Sequence, residues 1–117
     1  MLKYMIKMNY SSASWARMLE ATDDRTSAVA MLLEALGGKL ESMNWEVEDA
    51  AAYVTCYLPD PQSAAAAIVA STKTGGYKDV QVTNLLSQDQ LSEAVALAKH
   101  SGGLFHPPGA AAVESDR

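Results

Sequence analysis

Residues 32–60, LLEALGGKLESMNWEVEDAAAYVTCYLPD, decide how this chain folds. Leu32, Leu33 and Leu36 continue a stripe begun at Val29, with the i, i+3, i+4, i+7 spacing of a helix that turns one face to a core. Gly37-Gly38 then offers the left-handed residue on which helices commonly close. Residues 39–47 read as a strand, Met43, Trp45 and Val47 facing one way and Ser42, Asn44 and Glu46 the other. Residues 48–51 are too short a connection for anything but antiparallel neighbours, so the next strand, 52–58, pairs directly with the one before it. Asp60-Pro61 caps and starts a helix, with proline in the first turn, where its missing N–H costs nothing.

Working outward, Tyr4, Ile6, Met8 and Tyr10 recur with period two, predicting a strand over 2–10. The serines of residues 11–14 offer N-caps for a first helical piece carrying Trp15, Met18 and Leu19. Thr22-Asp23-Asp24 is a poor helix interior and a good cap, so a break is expected before the second piece. The alanine-rich helix from residue 61 to about 74 stops at Gly75-Gly76, and residues 77–86 form a last strand with Val80 and Val82 on one face. Ser87 and Gln90 make a capping box, with Leu86 and Leu91 as its hydrophobic staple; Leu91, Ala94, Val95 and Ala98 form that helix's expected buried stripe.

The order is βαββαβ with an extra C-terminal helix: an α+β, ferredoxin-like, four-stranded antiparallel sheet with helices on one face. Under the helices belong Tyr4, Ile6, Met8, Met43, Trp45 and Val47, together with Val54, Cys56, Leu58, Val80 and Val82. The second face carries Lys7, Asn9, Ser42, Asn44 and Glu46, then Tyr53, Thr55, Tyr57, Gln81 and Thr83. It is polar but rich in tyrosine and neutral hydrogen-bonding groups, as expected of a face that meets a second copy of itself in a homodimer. The domain is expected over 1–103 and a tail over 104–117, in which Phe105, the sole phenylalanine, should be at least half buried.

At 117 residues and a net charge of −5, the chain is one domain without the basic cluster that nucleic acid or an anionic membrane requires. No stretch nears the roughly 20 apolar residues of a membrane span and no leader pattern is evident, so a cytoplasmic protein is expected. The single Cys56 excludes an internal disulfide framework or a cysteine metal cage, and mid-strand it reads as a buried, inert thiol. His100 and His106 have no metal-ligand partners at suitable spacing, so neither a metal nor another cofactor is expected.

LGGKLE at 36–41, the strand after it, LPD at 58–60, the alanine-rich helix and Leu85-Leu86 before a capped helix together resemble the GYD-domain family. That resemblance covers roughly 2–94 and implies the dimeric α+β-barrel arrangement. Glu48, Asp49 and Ala50 stand where the family's Gly-Tyr-Asp turn is expected. Relatives on this barrel include cofactor-free oxygenases and isomerases, some of which hold phenolic substrates with Asn, Trp and Tyr. By that likeness Trp15, Asn44 and Trp45 are candidate ligand-binding residues and Tyr53 a candidate catalytic one. Asp49 is a second catalytic candidate because repulsion within an adjacent Glu48-Asp49 pair in a cleft raises one carboxyl's pKa, and His106 joins the ligand-binding candidates as the imidazole that the tail, lying over the cleft mouth, would bring. The plainer alternative makes the tryptophans core fillers, Asn44 and Tyr53 interface residues, and Glu48-Asp49 a solvated turn. The expected function is small-molecule binding, extending to a cofactor-free oxygenase, isomerase or cyclase acting on a small aromatic or carbonyl metabolite. The competing reading is a non-catalytic dimeric binding or interaction protein.

Overall fold

The computed structural model describes residues 1–21 and 24–109. Its elements run β1 (Leu2–Tyr10), α1 (Ser12–Glu20), α2 (Arg25–Ala35), β2 (Lys39–Glu46), β3 (Ala51–Leu58), α3 (Pro61–Thr72), β4 (Tyr77–Leu85) and α4 (Gln88–Ser101), closed by a 3-10 turn over Gly102–Leu104. The sheet order is β2-β3-β1-β4 with every neighbouring pair antiparallel, the α+β arrangement of a split βαβ fold.

Each helix starts on an identifiable cap. The side chains of Ser11, Asp24 and Asp60 accept from the backbone N–H of Ser14 (3.2 Å), Ser27 (3.0 Å) and Ser63 (2.7 Å). Of the expected break at 22–24, Asp24 is the cap of α2; Thr22 and Asp23 lie outside the described residues. Helix α2 ends in a Schellman motif, with Gly37 N–H donating to Glu34 O (3.0 Å), Gly38 N–H to Leu33 O (2.8 Å), and Gly37 at φ 82°. The capping box of Ser87 and Gln90 is present.

Tyr4, Ile6 and Met8 of β1 and Val54, Cys56 and Leu58 of β3 form the core under the helices with Leu33 and Ala64. A bulge between Leu40 and Ser42 sets two β2 residues, Glu41 and Ser42, against one on β3; Leu40 and Met43 can then both face the helices. Three expected core residues are corrected. Val47 falls after the end of β2 and is 72% exposed, while Trp45 at 40% and Val82 at 42% stay on the helix side of the two edge strands. The buried core is centred on β1 and β3, and the ends of β2 and β4 lie outside it.

Packing divides the chain into two compact units that part between Leu85 and Leu86. In the second unit α4 has no buried residue, so Leu91, Ala94, Val95 and Ala98 do not form a buried stripe. Phe105 is 73% exposed in the single chain, against the expectation of burial. One helix and a 3-10 turn present too little apolar surface to enclose either.

Two backbone sites give opposite expectations. A Cβ on Gly38 would collide with the Tyr57 carbonyl oxygen and the Leu58 side chain, so Gly38→Ala should destabilise by about 1–3 kcal/mol. Ala50, in the β2–β3 turn, sits at φ 48°, where a Cβ is strained and glycine is not; Ala50→Gly should stabilise by about 0.5–1 kcal/mol. Urea melts of the two variants check both signs.

Candidate functional site

Alternation along the strands separates the expected site residues. Asn44 and Trp45 are neighbours on β2, so they face opposite sides of the sheet. Asn44 stands beside Tyr53 on the open face, with Asp49 in the turn nearby. Trp15 and Trp45 instead meet around Tyr10, at the end of β1. The Trp15 ring lies 5.5 Å from that of Tyr10, and Trp45 Nε1–H donates to the Tyr10 hydroxyl at 3.3 Å. His106 follows the 3-10 turn in the second unit.

The open face holds more charge than its tyrosines suggested, and the charge is paired. Lys3 Nζ lies 3.3 Å from Glu41 Oε1 and 5.6 Å from the centre of the Tyr57 ring, whose hydroxyl donates to Glu41 at 3.2 Å. Four residues along β1 the pattern repeats. Lys7 Nζ is 2.8 Å from Asp49 and 3.9 Å from Glu46, and 5.5 Å from the centre of the Tyr53 ring, whose hydroxyl donates to Glu46 at 2.8 Å. The carboxylate step on β2, Glu41 to Glu46, is five residues because the bulge inserts one. Asn9, only 7% exposed, fixes the turn by donating from Nδ2 to the Asp49 carbonyl (3.0 Å) and carboxylate (3.1 Å).

These partners set the protonation states. Hydrogen bonds from Lys7 and then Asn9 hold the Asp49 carboxyl below its ordinary range, opposite to what repulsion from an adjacent carboxylate would do. The Lys7 ammonium is raised in turn by its hydrogen bonds to Asp49 and then Tyr53. Burial alone pushes the Cys56 thiol up to about 11, which leaves it protonated and unreactive at neutral pH.

On the other side of the sheet, between it and α1, α2 and α3, lies a cavity of about 570 Å³ within the first unit. Its floor includes Ile6, Met8 and Val54. Each helix contributes one stripe: Ser14, Arg17, Met18 and Ala21 from α1 and its C-cap, Arg25, Ala28, Val29 and Leu32 from α2, and Ala67, Ala70, Ser71 and Thr74 from α3 and the residues after it. The space exists because Ala28, Ala67 and Ala70 stand where a filled core would place larger side chains.

The polar groups of the lining converge at one end. Arg17 Nη2 donates to Ser14 Oγ at 3.1 Å, and both Ser14 and Thr74 flank Gly76. Next to Gly76, the Tyr77 ring is 5.1 Å from that of Tyr10, whose hydroxyl has Arg25 as a hydrogen-bonding neighbour. Tyr10 is 5% exposed; burial raises its pKa, against the opposing pull of Trp45 and Arg25. None of Trp15, Asn44, Trp45, Asp49 and Tyr53 lines the cavity; Trp15 and Trp45 touch Tyr10, which does. The residues passed over, Tyr10, Arg17 and Arg25, carried a signal, since Ser14-Arg17-Met18-Ala21 and Arg25-Ala28-Val29-Leu32 both keep helical i, i+3, i+4, i+7 spacing.

A four-stranded antiparallel sheet with helices on one face and a cavity beneath them defines a small α+β domain of ferredoxin-like type. The family model described as the GYD domain matches residues 4–95, and the chain belongs to that family. Comparison with curated proteins gives no match. Among the described residues no helix is long and apolar enough to cross a membrane, and no three His, Cys, Asp or Glu side chains are grouped to hold a metal ion.

The Asp49 pairing has a pH signature. A carboxyl whose folded pKa is depressed contributes stability that is present above its unfolded value near 3.8 and is lost as pH falls through the folded value. Asp24 and Asp60, lowered by their cap bonds to Ser27 and Ser63, act in the same window. Asp49→Asn should therefore lower the melting temperature at pH 7 and narrow its gap to wild type below pH 3. Thermal melts across pH 2.5–7 read this, and a gap independent of pH would assign the loss to something other than charge.

Proposed function

We propose that this GYD-domain protein binds a small molecule in the cavity between the sheet and α1–α3, and that it works as a homodimer through its open sheet face. The cavity carries the reading. Protein interiors hold few voids larger than a water molecule, and about 570 Å³ falls in the range of small-molecule sites. Its apolar floor and single polar end are the pattern of a pocket that buries a ligand's body and orients one end. The Lys–Tyr–Glu rows support the dimer: both lysines find carboxylate partners within the face, which lowers the penalty of covering their charges. A cytoplasmic location accords with a chain that has a single cysteine, buried and unpaired.

Cofactor-free catalysis by Tyr53 and Asp49 on a small aromatic or carbonyl metabolite belongs to the interior that two such faces enclose. It gains least from the geometry, because Asp49 is held as a carboxylate by Lys7 and the Tyr53 hydroxyl donates to Glu46. Binding without catalysis is the function these contacts favour.

Two outcomes test the proposal. A neutral apolar probe, 1-naphthylacetamide, should quench tryptophan emission saturably, because Trp15 and Trp45 both touch the cavity-lining Tyr10. Ala67→Phe, which fills the cavity from α3, should weaken that binding at least about tenfold without lowering the melting temperature; unchanged binding in the variant would place the site elsewhere. Sedimentation at tens of micromolar should show a dimer. Thr55→Asp, placing an unpaired charge between Met5 and Ser42 on the open face, should shift it toward monomer, whereas a monomeric wild type rules the dimer out.

A further inference from the structure

Resting on the cavity reading, we infer that the ligand is an uncharged molecule with an apolar body and a hydroxyl group, whose proton it donates to Ser71 Oγ on the α3 wall. Most of the lining is aliphatic, Ile6, Met8, Val29, Leu32 and Ile68 among it, and suits a hydrocarbon or aromatic body. The stripe that α3 and the residues after it turn to the cavity reads Ala67, Ala70, Ser71, Thr74. Its first two positions carry only methyl groups and its last two carry hydroxyls, so this wall changes from apolar to polar along the cavity.

The bonds these hydroxyls already make fix what they can offer a ligand. A hydroxyl has one proton to donate and two lone pairs that accept. Ser71 Oγ donates its proton to the Ala67 carbonyl one turn back, at 2.7 Å, and Thr74 Oγ1 donates to the Ser71 carbonyl at 2.8 Å. Thr74 Oγ1 also accepts from Gly76 N–H at 3.2 Å. With both protons committed to backbone carbonyls, this wall meets the cavity as an acceptor, and the half-buried Ser71 is the better placed of the two, since Thr74 is exposed. A ligand that carries a donor gains a bond there, whereas an ether, a ketone or a carboxylate brings one more acceptor and gains none from this wall. The donor is an uncharged one. An ammonium would meet in Ser71 a neutral oxygen, too little to offset the loss of its hydration in an apolar cavity. A hydroxyl meets the requirement with a single proton, while a carboxamide would bring two N–H groups and a carbonyl to be satisfied.

The test compares 1-naphthylmethanol with its methyl ether, which keeps the oxygen and loses the proton, each followed by quenching of tryptophan emission in the full chain at pH 7. The alcohol should bind about fivefold tighter, the order of one neutral hydrogen bond. Ser71→Ala should remove most of that preference while leaving the ether's affinity within about twofold, and Ser71→Thr, which keeps the oxygen, should retain part of it. Equal binding of alcohol and ether, lost together in Ala67→Phe, would overturn the hydroxyl assignment and leave the cavity reading standing. So would tighter binding of the anion 1-naphthylacetate or the cation 1-naphthylmethylamine than of the alcohol. A preference that survives Ser71→Ala overturns the assignment of the hydroxyl to α3. Probes that bind Ala67→Phe as well as wild type, or that do not bind at all, overturn both readings.

Discussion

Strand β1 is hydrogen-bonded along both edges, to β3 and to β4, and its two-residue alternation divides the chemistry of the domain. Tyr4, Ile6, Met8 and Tyr10 are directed to the helices, and Lys3, Met5, Lys7 and Asn9 to the open face. Because both neighbours are in antiparallel register, the middle residues of β1 organise rows of like character across the sheet. Ile6 lies between Val54 and Val82, while Lys7 lies between Tyr53 and Gln81. A slip of one residue would exchange the two sets, putting ammonium groups under the helices, so one face's burial fixes the other face's composition.

The two faces solve different problems. Under the helices, small side chains leave room and the polar groups collect at the end where β1 stops and β4 starts. Tyr10 links that end together: it touches Trp15 and Tyr77 with its ring and Trp45 with its oxygen, so a change in its surroundings is felt by both tryptophans. On the open face the lysines run between carboxylates and tyrosine rings in two repeated units, and Asn9 ties the β2–β3 turn to the second. This second unit takes up the Asp49 carboxylate that sequence alone offers as a candidate base.

Much of the fold was legible because its signals are local. Ser11, Asp60 and the Ser87–Gln90 pair announce helix starts, Gly37-Gly38 a stop, and the short 48–51 connection an antiparallel pair. What failed depends on long-range geometry. No local pattern marks the bulge at Glu41, and none says that the helices stop short of Trp45 and Val82 at the sheet edges. The site was read less well than the fold for a physical reason. Likeness to other barrels joined Trp45 to Asn44 and Tyr53, although strand alternation places adjacent residues on opposite faces. Arg17 and Arg25 keep helical spacing with their stripes, but nothing local joins them, since only the packed helices bring residues 17 and 25 to one cavity.

The central claim is that ligand enters between the sheet and the helices and leaves the tyrosine-bearing face untouched. Isotope-edited nuclear Overhauser spectroscopy of the full chain with 1-naphthylacetamide tests it most directly, because methyl groups report from both faces. The account predicts contacts from the naphthyl protons to Ile6, Met8, Val29 and Ile68, all in the cavity lining. Contacts instead to Met5, Thr55 and Thr83, which pair across the open face, would contradict it.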